Sequence, residues 1–348
     1  MKMDNRKQQV LMAIITDYVS TAEPVGSRTI ARKFNLGVSP ATIRNEMSDL
    51  EELGYIEQPH TSAGRIPSQK GYRYYVDFLM KRKALTSHEE EIIKQGYEEK
   101  VRDIGQVIER ASSILSQITN FPSIIVSPRT DISVFKHIQL VLMSPGQVMV
   151  IVVLNTGAVH HNIIEVPEGV GKEDLETISA VLNAKLAGLT MDKIKITLLR
   201  EIYFELSKHK NILDLAMYLV EKGLTISGED KIYMGGMFNI LNQPEFRNIE
   251  KIKTLLGLLE QEDLLCNLIN REGGSNDGVT VHIGTELNRE EVRDCSVVVA
   301  TYHLDGNPMG KVGILGPTRM DYAWVVSIVD NVTKNLSETL EKIIKGWR

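Results

Sequence analysis

The chain has 348 residues, 43% of them apolar and 24% charged, with a net charge of −5. At about 100–200 residues per domain this allows two or three domains, and the balance is that of a folded chain rather than a disordered one. The longest unbroken apolar run is the seven residues Val148 to Leu154, whereas a membrane-spanning helix needs about 20, so a helical membrane protein is excluded.

The N-terminal residues Met1 to Arg6 hold no apolar stretch and no small-residue cleavage site, so no secretory signal is expected. Two cysteines, Cys266 and Cys295, are too few for a disulfide framework or a cysteine-based zinc site, and fit a reducing cytoplasm. The charge is uneven. Residues 1–85 hold 13 Lys and Arg against 9 Asp and Glu, a balance of +4, and the remaining 263 hold 27 against 36, a balance of −9. A small basic module on an acidic body is expected.

The first 80 residues read as three helices and a hairpin. Val10, Leu11, Ile14, Ile15, Tyr18 and Val19 recur at helical spacing, which predicts a helix from Asp4 to Ser20. Pro24-Val25-Gly26 breaks it. Ser27 is expected to cap a second helix, Arg28 to Phe34, and Asn35-Leu36-Gly37-Val38 forms a tight turn. Ser39-Pro40 opens the third helix, because serine caps and proline suits the first helical position. Gly54 ends it. Tyr55 to Gln58 and Arg65-Ile66 are short strands around the loop Pro59 to Gly64.

Helix, Gly-containing turn and longer capped helix make residues 27–53 a helix–turn–helix candidate. On the third helix Ile43, Met47 and Leu50 share one face. The opposite face carries Ala41, Asn45, Ser48 and Glu52, flanked by Thr42 and Arg44. Asparagine can pair bidentately with adenine and arginine with guanine, so Thr42, Arg44, Asn45 and Ser48 are the base-reading candidates. Ser27, Arg28, Thr29, Arg32 and Lys33 suit phosphate contacts, which position without specifying. Spacing alone fits equally a capped helical hairpin with a polar outer face. The hairpin that follows favours a winged helix, with His60, Thr61, Ser62 and Arg65 as backbone or wing contacts.

A fourth helix after Ser68 is rich in aromatics: Tyr72, Tyr74, Tyr75 and Phe78. These suit base stacking, but helical spacing favours a core that braces the wing against the first helix. One long helix is expected from Thr86 to Thr119. Its residues Val101, Ile104, Ile108, Ala111, Leu115 and Ile118 step alternately by 3 and 4, the seam of a packed helix pair.

Strands Ile138 to Met143, Val148 to Leu154 and Val159 to Val166 form an expected antiparallel meander, with turns at Ser144-Pro145-Gly146 and Asn155-Thr156-Gly157. A helix from Lys172 to Leu186 follows. Residues 195–270 read as mainly helical, with a short strand at Ile232 to Met234. Residues 273–278 read as a flexible linker. Strands resume at Val279 to Ile283, Cys295 to Tyr302 and Lys311 to Leu315. In the last helix Tyr322, Val325, Val329, Val332 and Leu336 repeat the seam. Either seam suits a dimer, though packing on the chain's own sheet is favoured. Strands, a helical block and strands again suggest an α+β domain with a unit inserted in it.

Three segments, Val38 to Met47, Pro59 to Pro67 and Gly71 to Asp77, together resemble the HrcA heat-inducible transcription repressors of bacteria. Tyr233-Met234-Gly235-Gly236, Asn242 to Phe246 and Gly313 to Tyr322 agree, so the resemblance runs over essentially the whole chain. It implies a multidomain α+β fold. A winged helix-turn-helix (1–84) is followed by a GAF-like α+β domain in two parts (85–194 and 278–348), interrupted by an inserted, mostly helical dimerisation domain (195–277).

The resemblance also implies a function. A cytoplasmic, nucleoid-associated homodimer would bind double-stranded DNA at an inverted repeat, the CIRCE element, upstream of chaperonin and DnaK-type chaperone operons. It would release on heat stress, its activity maintained by the chaperonin GroEL. No cofactor, metal or enzymatic activity is implied. Alternatives are a winged-helix regulator whose GAF-like cleft takes a metabolite, and an enzyme on the GAF-like core. The core strands offer mainly Val, Ile and Leu, and nothing in 123–190 or 279–320 names a ligand.

Other features point nowhere further. His160 and His161 on one strand face opposite ways, which disfavours a shared metal with Glu165. The Gly-rich stretches 310–313 and 273–278 lack phosphate-loop spacing. Cys295 reads as a small core residue.

Overall fold

A computed structural model describes residues 3–60, 63–98, 104–126, 134–154, 159–167, 169–189, 194, 215, 218–219, 232–246, 248–270, 278–304 and 306–346. Thr61, Ser62, Val101, the turn at 155–157 and most of 195–231 and 271–277 lie outside them.

The N-terminal helices are α1 (Asn5–Thr21), α2 (Ser27–Lys33) and α3 (Pro40–Glu52). Asp4 caps α1, accepting from the Arg6 and Lys7 amides. Gly26, not Ser27, caps α2: its extended backbone lets its carbonyl accept from the amides of Thr29 and Ile30, and Ser27 becomes the first helical residue. Gly37 takes the left-handed φ of +67° that the turn before α3 requires. Strands β1 (Ile56–Glu57) and β2 (Ile66–Pro67) pair antiparallel. Helix α4 (Gln69–Tyr74), capped by Ser68, continues into a π turn, Tyr75–Leu79. Tyr72 and Tyr74 are buried as core, while Phe78 is 72% exposed.

The single long helix expected from Thr86 to Thr119 is two helices, α5 (Ser87–Glu98) and α6 (Ile104–Thr119). Gly96 lies directly against the Ile114 side chain. One straight helix would hold those residues about 27 Å apart. An unbroken seam spacing does not reveal a chain reversal within it.

Strands β3 (Ser123–Val126), β4 (Phe135–Ser144), β5 (Gln147–Leu154) and β6 (Val159–Glu165) follow, then α7 (Lys172–Leu186) and β7 (Ile232–Gly235). Beyond them lie α8 (Ile249–Leu259), α9 (Glu262–Ile269), β8 (Val279–Ile283), β9 (Cys295–Leu304), β10 (Asn307–Pro317) and α10 (Tyr322–Gly346). Two separate antiparallel sheets result. Five strands run in the order β7-β3-β10-β9-β8, and three form the meander β4-β5-β6. Ile124 and Val126 with Val297 and Val299 face α8 and α9, while Ile125, Val298 and Ala300 face α6 and α10. Both faces are covered, so β9 is apolar almost throughout.

This differs from the expected segments. The meander was placed with β8 to β10 in the GAF-like domain, and β7 in the inserted block. Instead the meander and α7 share their own core, from Phe135 to Leu219, and β7 pairs with β3. Alternation identifies a strand but not the sheet it joins. The two apolar seams do pack within the chain, on each other and on the five-stranded sheet.

Among the described residues no helix is long and apolar enough to cross a membrane, and no cluster of metal-ligating side chains occurs. His160 and His161 register with Val152 and Ile151 on opposite faces of the meander, and burial lowers the pKa of His160. Cys295 is fully buried, which pushes its thiol up to about 12.

A Cβ at position 71 would lie 2.1 Å from the Tyr55 carbonyl oxygen. Gly71→Ala is therefore expected to cost about 1–3 kcal/mol as overpacking. Urea unfolding monitored at the N-terminal domain checks this; an unchanged midpoint would show that α4 can step away from the wing.

Candidate nucleic-acid interface

Helix α3 owes its position to Ile43, Met47 and Leu50, all buried against α1 and α2. Its start is fixed by Ser39, whose Oγ accepts from the Thr42 amide at 3.1 Å, and by Pro40 at the first position. Burying one stripe turns the opposite one outward. Ala41, Arg44, Asn45 and Ser48 are exposed and Thr42 half-buried, its hydroxyl 3.0 Å from Ser39 Oγ. The four base-reading candidates thus lie together on one outward surface.

The backbone candidates divide. On α2, Arg28 and Arg32 are exposed, and Ser27 and Thr29 half-buried. Lys33 is committed elsewhere: its ammonium pairs at 2.5 Å with Asp17, a buried carboxylate on α1. Arg65 is committed too. Its Nε and Nη2 reach Glu51 Oε2 on α3 at 2.8 and 2.7 Å. The Arg65 backbone also bridges Val25 in both directions at 2.9 Å. His60 is exposed at the wing, where its carbonyl accepts from the Ala63 amide. Thr61 and Ser62 fall outside the described residues.

Ion pairing sorts the charges of this domain. Lys7 gathers Asp4, Glu46 and Asp49, each at 3.0 Å, and these carboxylates, Glu46 foremost, hold its ammonium well above its ordinary pKa. Arg6 adds to Glu46, and Arg73 takes Asp77. Thus Glu46 and Asp49 on α3 are neutralised from α1. Among the described residues no ion pair engages Arg28, Arg32 or Arg44. Three uncompensated guanidinium groups flank short polar side chains on a convex helical surface, an arrangement suited to phosphates and base edges.

Sequence reasoning missed the tie between wing and helix. Its signal was the pair Glu51 and Arg65, but no local periodicity brings residues 14 apart together. Arg65→Ala and Glu51→Ala are expected to be non-additive, with a coupling of about 0.5–1 kcal/mol in a double-mutant cycle of thermal unfolding. Additive effects would return Arg65 to the set available for DNA.

Two family profiles match the chain: "HrcA protein C terminal domain" over residues 105–326, and "Winged helix-turn-helix transcription repressor, HrcA DNA-binding" over residues 2–77. The chain is 63% identical over 346 residues to the heat-inducible transcription repressor HrcA of Pelotomaculum thermopropionicum, covering 99% of each. It is 58% identical to that of Desulforamulus reducens, again covering 99% of each. A crystal structure of a hypothetical protein, 26% identical, aligns with a TM-score of 0.61 over 98% of each chain. With matches of this extent in both halves, the chain belongs to the HrcA heat-inducible transcription repressor family, with a winged-helix DNA-binding domain at its N-terminus.

Proposed function

We propose that this repressor acts as a homodimer on a CIRCE-type inverted repeat upstream of chaperonin and DnaK-type chaperone operons, leaving it on heat stress. The observation that carries the reading is the outward surface of Thr42, Arg44, Asn45 and Ser48, flanked by Arg28 and Arg32 without carboxylate partners. In this reading α3 enters a major groove. Arg44 and Asn45 pair with base edges, each worth about 1–3 kcal/mol of discrimination. Thr42 and Ser48 line the same groove, and Ser27, Arg28, Thr29 and Arg32 hold phosphates. His60, Thr61 and Ser62 lie along the backbone at the wing. Lys33 and Arg65 act indirectly, by fixing α2 and the wing.

One such domain carries few phosphate contacts, so its affinity alone is modest. Two-fold symmetry doubles the contacts and makes the operator a palindrome. The meander unit, with its own core and with Val159 and Ile163 of β6 exposed, is the part offered for dimerisation. It extends the inserted unit back to the meander, whose core also takes in Leu215 and Leu219 of the 195–277 block. The five-stranded sheet with helices on both faces takes the part of the GAF-like domain. The chaperonin GroEL would favour the DNA-competent population at ordinary temperature, and heat would withdraw it. Action on a nucleoid-bound operator places the chain in the cytoplasm, with no cofactor required.

Fluorescence anisotropy with inverted-repeat, half-site and scrambled duplexes, with and without chaperonin, tests the reading. The repeat should bind at least tenfold more tightly than either other duplex, and equal affinities would overturn it. Arg44→Ala should cost about 1–3 kcal/mol on the repeat and relax sequence preference. Arg28→Ala should weaken all duplexes alike and lower the salt slope by about one. Indistinguishable variants would remove the division between base reading and phosphate contact.

A further inference from the structure

The winged helix is docked on the rest of the chain through α4 and the end of α1. At the centre Tyr72 meets Tyr322 of α10 edge-on, with ring centroids 5.7 Å apart. Both rings are buried, and the Tyr72 hydroxyl has no hydrogen-bond partner. Tyr322 bonds within the body only, to Ser296 Oγ and the Thr318 carbonyl. This central contact supplies adhesion but no directional bond across the joint, and apolar burial does not fix a rotation.

Direction comes from polar ties at its rim, led by two guanidinium groups; Arg82 and Lys83 at the exit from the domain add exposed pairs to Asp330 and Asp321 of the body. Arg73 on α4 donates from Nε and Nη2 to both oxygens of Glu286 at 2.9 Å, and from Nη2 to the Val281 carbonyl. Arg319, ahead of α10, donates from Nη1 to the Val19 carbonyl of α1 at 2.9 Å while its other nitrogens hold Glu245. Its side chain is only 13% exposed. Gln69 adds a further tie, accepting from Thr285 and donating to the Arg293 carbonyl. Bidentate forks fix orientation as well as distance.

We propose that Arg73 and Arg319 are positioning residues that hold the recognition helix at one fixed angle to the body, and thereby set the half-site spacing the repressor accepts. Neither touches DNA in the reading above. The proposal rests on that dimeric reading: two winged helices select one spacing between half-sites only if each is held rigidly to the part that joins the subunits. A winged helix free to swivel would still bind one half-site, but the second would engage at a lower effective concentration and with little preference for spacing.

The test uses the full chain carrying Arg73→Ala with Arg319→Ala. Hydrogen exchange, without DNA, should quicken at least tenfold over residues 69–79 and 279–287 while α1 to α3 keep their protection. On DNA, half-site affinity should stay within twofold of wild type. Preference for the repeat over the half-site should fall at least tenfold, and repeats with spacers one or two base pairs longer or shorter should bind almost as well. A merely structural role would instead weaken half-site and repeat together.

Unchanged exchange at the joint would overturn the proposal. So would a loosened joint with repeat preference and spacing intact. If the alanine pair does not fold, Arg73→Met with Arg319→Met removes the same bonds while keeping the packing of the side-chain stems, with the same expectations. A wild-type chain with no preference for the repeat would remove the dimeric reading alone, and the exchange arm would still decide whether the two arginines hold the joint.

Discussion

Tyr72 lies fully buried between the N-terminal helices and α10, and much of the molecule depends on that placement. Its helix closes the core of the winged helix from one side and seals the body from the other. The apolar core therefore runs unbroken from Val10 and Leu11 through Tyr72 and Tyr322 to α6 and the five-stranded sheet. An 80-residue winged helix has little apolar surface to bury alone. Sharing a core with the body gives it stability and ties its direction to the rest of the chain.

A second constraint is electrostatic. Asp4, Asp17, Glu46, Asp49, Glu51 and Asp77 are paired with Lys7, Arg6, Lys33, Arg65 and Arg73, which leaves Arg28, Arg32 and Arg44 as the guanidinium groups beside the reading surface with no ion pair among the described residues. Exposed pairs of this kind add little stability each. Their effect is to sort charge in space, which whole-chain composition hides: an acidic protein presents a locally cationic surface.

The local pieces of the N-terminal domain were legible because each is dictated over a few residues. Ser39-Pro40 starts α3, Gly37 permits the turn, and the 43, 47, 50 stripe decides which side faces out. Those rules alone mark out the candidate surface. What was not legible depends on distant partners. Lys33 and Arg65 look like phosphate binders in sequence, and only the fold brings Asp17 and Glu51 to them. Strand assignment failed in the same way. Residues 138–166 alternate as strands should, but alternation does not tell that β3 is completed by β7, more than 100 residues later. The Thr86–Thr119 seam likewise concealed a reversal, because both helices bury the same kind of stripe.

The bond from Arg73 to the Val281 carbonyl has a consequence beyond orientation. Strand β8 ends the five-stranded sheet, and α4 meets it at Val281. An uncovered sheet margin is a template on which another chain's strand can pair. Lifting α4 would free the Val281 carbonyl on a short segment, Val279 to Ile283, that has no carboxylate or lysine to discourage such pairing. The winged helix thus covers part of an edge strand that would otherwise be open to pairing. Loosening it would couple loss of operator geometry to self-association that grows with protein concentration.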